Sequence, residues 1–212
     1  MIAGLVVALA IVASIYVSLA YGPVAIRQVP GIDKRQSPQA LIFTPVSAAA
    51  PASAIIIFPA NLVAPSEYGQ LAQTLAQRTG QPVVVAAPKF RLEAFAPDIA
   101  ALERYYPKVT RWTFIGHSAG AAAACKSSSD PGVRAPVRII LLAGYCRRST
   151  EQPSLAILAI GDPFIPFGRH RQAGATTMGL QTSDHFFPVS KHSHAAAYDR
   201  TVDLLTAWIS RS

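Results

Sequence analysis

The pentapeptide Gly116-His117-Ser118-Ala119-Gly120 constrains this chain more than any other feature. An apolar run at 112–115 precedes it and a stretch of small, helix-compatible residues at 119–125 follows. A serine in a G-x-S-x-G pattern between a strand and a helix stands at the apex of a sharp turn, in a strained backbone that lifts its hydroxyl clear of the sheet. The flanking glycines remove side chains that would block that turn. The helix N-terminus then faces any oxyanion formed beside the hydroxyl. A small-residue turn without chemistry is the plainer reading, and the flanking strand and helix argue against it.

A serine hydroxyl is a weak nucleophile and needs a base oriented by an acid; around such an elbow the chain order is Ser, then Asp or Glu, then His. His117 lies inside the elbow, where the neighbouring side chain points into the fold, and is read as structural. His170 precedes the last apolar run. His185, in Asp184-His185-Phe186-Phe187, follows the run at 176–181 and is the leading base, with His192 and His194 as alternatives. For the acid, Gly161-Asp162-Pro163-Phe164-Ile165-Pro166 follows another apolar run directly, which favours Asp162. Asp184 is the rival, but sequence neighbours seldom aim their side chains at each other. Asp199 and Asp203 stand one helical turn apart on a surface face, and Asp130 before Pro131-Gly132 is a turn residue.

The rest of the chain supplies a suitable scaffold. Short apolar runs at 41–44, 54–58, 82–86, 112–116, 137–143, 155–161 and 176–181 alternate with helical patterns. Most are unbroken, as in strands covered on both faces. Helices are expected at 66–78, with Ser66 as N-cap and Gly80 past the end, and at 97–105, 119–125 and 198–209. The fold class is therefore α/β, a mostly parallel sheet of about seven strands with helices on both faces. The length of 212 residues suits one such domain, expected at 39–212. Residues 23–38, with Pro23, Pro30, Gly31 and Pro38, read as a linker.

Charge divides the chain unevenly. The 19 Lys plus Arg and 11 Asp plus Glu all lie beyond residue 22. Residues 2–21 are apolar over about 30 Å as a helix, which suits a single membrane pass. A cleaved export signal is the alternative, with Ser18-Leu19-Ala20 as the small-residue site. Arg27, Lys34 and Arg35 follow the segment, and the positive-inside rule would hold the domain on the cytoplasmic side. The remaining cations are scattered, with no basic run longer than Arg147-Arg148 and no aromatic recognition motif, which argues against nucleic acid. Lys89, Arg91, Arg147, Arg148, Arg169 and Arg171 fall on loops at the catalytic edge. They would form a cationic rim favouring anionic esters, or else ordinary solubilising charge. Cys125 and Cys146 lack CxxC spacing, which excludes a disulfide scaffold and a Cys-based zinc site; they are expected as small buried hydrophobes, with a disulfide as the alternative.

On GHSAG, GDPFIP and DHFF in this order, the chain resembles the α/β-hydrolases across 54–209. The stretch FPANLVAPSEYGQLAQTLAQ followed by VVVAAPKF looks like the small single-domain hydrolases related to dienelactone hydrolase. That resemblance implies one oxyanion donor in the turn Pro59-Ala60-Asn61-Leu62, from the N–H of Asn61 or Leu62, where relatives carry glycines. The second donor is Ala119, directly after the nucleophile. Ser118 stands where dienelactone hydrolases use cysteine, so their lactone substrate does not carry over. The interval 144–154 is too short for a cap domain, and the site should be open. The expectation is a membrane-tethered serine hydrolase cleaving a carboxylic ester or thioester, with Ser118 as nucleophile, His185 as base and Asp162 as acid, and no metal or organic cofactor. The alternatives are acyl transfer on the same triad, or a non-catalytic protein binding a partner or lipid.

Overall fold

The computed structural model describes residues 2–47, 51–92, 99, 102, 106–146, 154–165, 167, 174–189 and 195–211. Its centre is an eight-stranded sheet. The strands are β1 (Ile32–Gln36), β2 (Ala40–Pro45), β3 (Ser53–Phe58), β4 (Val83–Ala86), β5 (Arg111–His117), β6 (Val137–Leu142), β7 (Ser154–Ala159) and β8 (Ala175–Leu180). They lie in the order β1-β2-β4-β3-β5-β6-β7-β8. β1 pairs with β2 and β2 with β4 antiparallel, and every later pairing is parallel.

Both faces are covered, which explains the unbroken apolar runs. Successive side chains of a strand point to opposite faces, so Ile55 and Ile57 enter one buried cluster while Ala54, Ile56 and Phe58 enter the other. The first cluster is closed by α2 (Gly69–Thr79), through Leu71, Ala72, Leu75 and Ala76, and by the C-terminal helix Ala195–Ile209, through Tyr198, Val202, Leu205 and Ile209. The second is closed by α3 (Ala119–Ser128), through Ala121, Ala123 and Ala124. Burying a leucine or isoleucine in such a cluster stabilises the fold by roughly 1.5–3 kcal/mol. α2 ends at Gly80, whose left-handed backbone (φ 68°) lets its N–H reach the Ala76 carbonyl.

Several expectations change. Residues 23–38, read as a linker, contain β1, which pairs residue by residue with β2 from Ile32↔Pro45 to Gln36↔Leu41. Its pattern hid it, because Ile32 alone is buried and the charged residues that follow suit an exposed edge strand. Ser66 does not cap α2. It lies in a 3-10 turn, Pro65–Tyr68, and its Oγ accepts the Val24 N–H at 3.0 Å. Cys125 and Cys146 are not free: they form a disulfide, with 5.7 Å between Cα atoms. The helix expected at 97–105 lies outside the described residues apart from Ile99 and Leu102.

The N-terminal segment forms α1 (Ile2–Ala20), with no charged residue in its first or last turn. The expected membrane-spanning helix is not borne out: among the described residues no helix is long and apolar enough to cross a membrane. The end of α1 is docked on the domain. Val17 and Tyr21 pack against the first cluster, and the Tyr21 carbonyl accepts the Ala64 N–H at 2.9 Å.

Candidate active site

The strand order reverses at β3, whose partners are β4 on one side and β5 on the other. Loops leaving two strands on either side of such a reversal diverge and leave a crevice at their C-terminal ends. Phe58 pairs with Gly116, which puts the turn after β3 beside the turn after β5. The latter holds Ser118, at φ 53° and ψ −120°, a conformation L-residues rarely adopt. Two glycines permit it. A Cβ at Gly116 would lie 2.5 Å from the Ala121 Cα, and one at Gly120 would collide with the carbonyl oxygens of Phe58 and Pro59. The elbow therefore seats α3 directly on the end of β3.

The structure brings the leading candidates together. His185 Nε2 lies 2.8 Å from Ser118 Oγ, and His185 Nδ1 lies 2.7 Å from Asp162 Oδ2. A carboxylate only accepts, so Nδ1 carries the hydrogen and Nε2 accepts from the serine hydroxyl. Asp162 is 4% exposed and His185 6%. The second Asp162 oxygen accepts the N–H groups of Phe164 (2.7 Å) and Ile165 (2.9 Å), so the loop after β7 is wrapped around the carboxylate. Asp184, the rival acid, is engaged elsewhere: its Oδ1 accepts the Phe186 N–H at 2.8 Å, folding the loop that carries His185. His170, His192 and His194 lie outside the described residues.

The turn after β3 separates the two implied oxyanion donors. The Leu62 N–H is taken by the Arg91 carbonyl at 2.7 Å, while the Arg91 guanidinium reaches the Leu62 carbonyl at 3.4 Å. Leu62 (φ 67°), Phe90 (φ 57°) and Arg91 (φ 54°) all hold left-handed backbones in this clamp. Leu62 is thus withdrawn as a donor. Asn61 lies in the same turn, and Ala119 opens α3. The clamp also gives Arg91 a structural task in place of the rim role expected of it. Of the other rim cations, Lys89 is exposed, and Arg147, Arg148, Arg169 and Arg171 lie outside the described residues. The described border of the site is aromatic instead. The Phe164 ring, 66% exposed, sits 5.0 Å from His185, and Phe186 packs edge-on to His185 at 5.0 Å while stacking on Tyr21 at 4.3 Å.

Sequence reasoning passed over one group. Tyr68, which falls within the helix expected at 66–78, is fully buried and turns its hydroxyl toward Ala60 and His117. It lies 2.8 Å from the Ala60 nitrogen and 2.7 Å from His117 Nδ1. Burial raises its phenol far above the ordinary value, so it stays neutral. Burial, with the neighbouring His185 imidazole as the second cause, pushes His117 down to about 3. A tyrosine on an otherwise apolar face was the available signal, since a buried hydroxyl needs a partner.

The alpha/beta hydrolase family model matches residues 54–210. Solved structures share the fold. Carboxyl esterase 2 from the mycorrhizal fungus Tuber melanosporum superposes with a TM-score of 0.64 at 14% identity, over 88% of each chain. A predicted CIB-like hydrolase from Thermoplasma acidophilum gives 0.62 at 14% identity, over 84% of this chain and 100% of that one. An esterase from Pyrobaculum calidifontis gives 0.61 at 13% identity, over 93% and 88%. No curated protein matches the chain in sequence.

Proposed function

The chain belongs to the alpha/beta hydrolase family, and from that premise we propose that it is a serine esterase cleaving a small-molecule carboxylic ester or thioester through an acyl-enzyme. One observation carries this reading: the unbroken Asp162–His185–Ser118 line, with links of 2.7 and 2.8 Å. Ser118 Oγ attacks the ester carbonyl as its proton passes to His185 Nε2. Asp162, whose charge is held by two backbone N–H groups, keeps the imidazole in the Nδ1–H tautomer and stabilises its cation. The N–H groups of Ala119 and Asn61 receive the developing oxyanion. His185 then protonates the departing alcohol or thiol, and water, deprotonated by the same imidazole, releases the acid.

The exposed Phe164 beside His185 supports an ester with an apolar acyl or alcohol group. The test is Ser118→Ala. The native chain should hydrolyse a short p-nitrophenyl ester and take up a fluorophosphonate probe, and the variant should do neither. Labelling of the variant, or a native chain inert to both reagents, refutes the reading.

The uncharged α1 supports membrane tethering of the domain. The Cys125–Cys146 bond supports an oxidising compartment, against the side favoured by Arg27, Lys34 and Arg35. A membrane-impermeant fluorophosphonate applied to intact cells expressing the chain should label it in the membrane fraction. Labelling only after lysis places the serine on the reducing side, and recovery in the soluble fraction rejects the tether.

A further inference from the structure

We infer that His117 and Tyr68 are positioning residues, carrying one hydrogen-bonded line from the oxyanion turn to the main chain of His185 and so fixing the base relative to the oxyanion donors. The inference rests on the catalytic reading of Ser118, His185 and Asp162.

The line has three links. Ala60 N–H donates to Tyr68 Oη at 2.8 Å, the Tyr68 hydroxyl donates to His117 Nδ1 at 2.7 Å, and His117 Nε2–H donates to the His185 carbonyl at 3.0 Å. Its polarity is forced from both ends, because a backbone N–H only donates and a carbonyl only accepts. The phenol hydrogen must therefore point at Nδ1, and His117 must be the neutral Nε2–H tautomer. Both side chains are 0% exposed, so water competes for none of these groups. Each end lies at the chemistry: Ala60 adjoins Asn61, and the accepting carbonyl belongs to the base itself. The segments joined are 8, 49 and 68 residues apart along the chain. The loops after β3 and β8 leave strands that are not neighbours in the sheet. Tyr21 also touches both loops, through its carbonyl on the Ala64 N–H and its ring on Phe186, and the buried line adds a polar tie directly from the oxyanion turn to the base. A space-filling role would be met by apolar side chains at no desolvation cost, whereas a buried imidazole and phenol are tolerated when each polar atom is bonded.

Four variants of the full chain test this: His117→Phe, His117→Gln, His117→Asn and Tyr68→Phe, with ester turnover normalised to fluorophosphonate-titrated sites. His117→Phe and Tyr68→Phe should lower kcat by about ten-fold or more, with KM within about two-fold, as expected for a displaced base. His117→Gln, whose amide nitrogen reaches the place of Nε2 and still donates to the His185 carbonyl, should recover most of kcat. His117→Asn, whose amide ends near Nδ1, should not. Native kcat in His117→Phe, or equal recovery by Gln and Asn, overturns the inference. If His117→Phe does not fold, native kcat in Tyr68→Phe overturns it equally. Failure of the esterase reading would appear separately, as a native chain inert to ester and probe. The line is then read by ¹⁵N NMR: the native chain should show His117 as the Nε2–H tautomer and Tyr68→Phe a tautomer mixture, and a native Nδ1–H tautomer refutes it.

Discussion

Ser118, Leu62, Phe90, Arg91 and Ala143 are the described residues other than glycine with positive φ. Each costs of order 1–3 kcal/mol, which only surrounding structure can offset. Ser118 and Leu62 stand in the turns after β5 and β3, and Phe90 and Arg91 clamp the latter. Asp162→Asn should keep this geometry and favour the wrong His185 tautomer. The expected result is a fall in kcat of about 10³–10⁴-fold with little change in KM, read from steady-state ester hydrolysis. His117 makes a separate prediction. Burial holds it near 3 in the folded chain against 6.5 in the unfolded one, so between those values the unfolded chain binds more protons. Its contribution to stability is complete above pH 6.5 and is lost as pH falls toward 3, at up to about 1.4 kcal/mol per pH unit. Urea unfolding at pH 7, 6 and 5 should show a shallower loss in His117→Gln than in the native chain, and equal slopes would exclude His117 as the source. The three positions proposed as a triad were legible because each follows an apolar run in a set order. The engagement of the Leu62 N–H was not, since its partner is the Arg91 carbonyl, nearly thirty residues away.

At the scale of elements, α3 is placed by what its residues lack. Gly116 and Gly120 bring the helix into contact with β5 and with the carbonyls ending β3. Gly120→Ala should cost about 1–3 kcal/mol in urea unfolding, the usual range for overpacking. It should also depress kcat, because relieving the clash moves the Ala119 N–H. Unchanged stability and turnover would mean that α3 has more room than its backbone contacts indicate. α2 and the C-terminal helix were legible from their apolar stripes, which are their buried faces here. β1 was not, because an edge strand buries one residue in five and its charges serve the solvent. Ser66 misled for a related reason: a hydroxyl suited to capping a helix was instead used to hold Val24.

The whole molecule is tied together by contacts that join distant parts of the chain. The Cys125–Cys146 bond links α3 to the loop after β6, closing 21 residues. Replacing both cysteines by alanine should lower unfolding free energy by about 3 kcal/mol, measured in urea under identical buffers, with loop-closure entropy as the dominant cause. No loss would show that the elbow and the β6 loop are held by packing alone. Gly144 already lies against the Ser118 carbonyl from that same loop, so reduction should also slow turnover. What the sequence by itself determined was the alternation of strands and helices and the placing of Ser118, Asp162 and His185 after successive apolar runs, because local periodicity and turn chemistry act over a few residues. The tertiary structure alone decided the eight-strand order, the pairing of the cysteines, the Leu62–Arg91 clamp and the Ala60–Tyr68–His117–His185 line. These depend on which distant groups meet when strands stack, and a buried polar atom accepts whichever partner that stacking supplies.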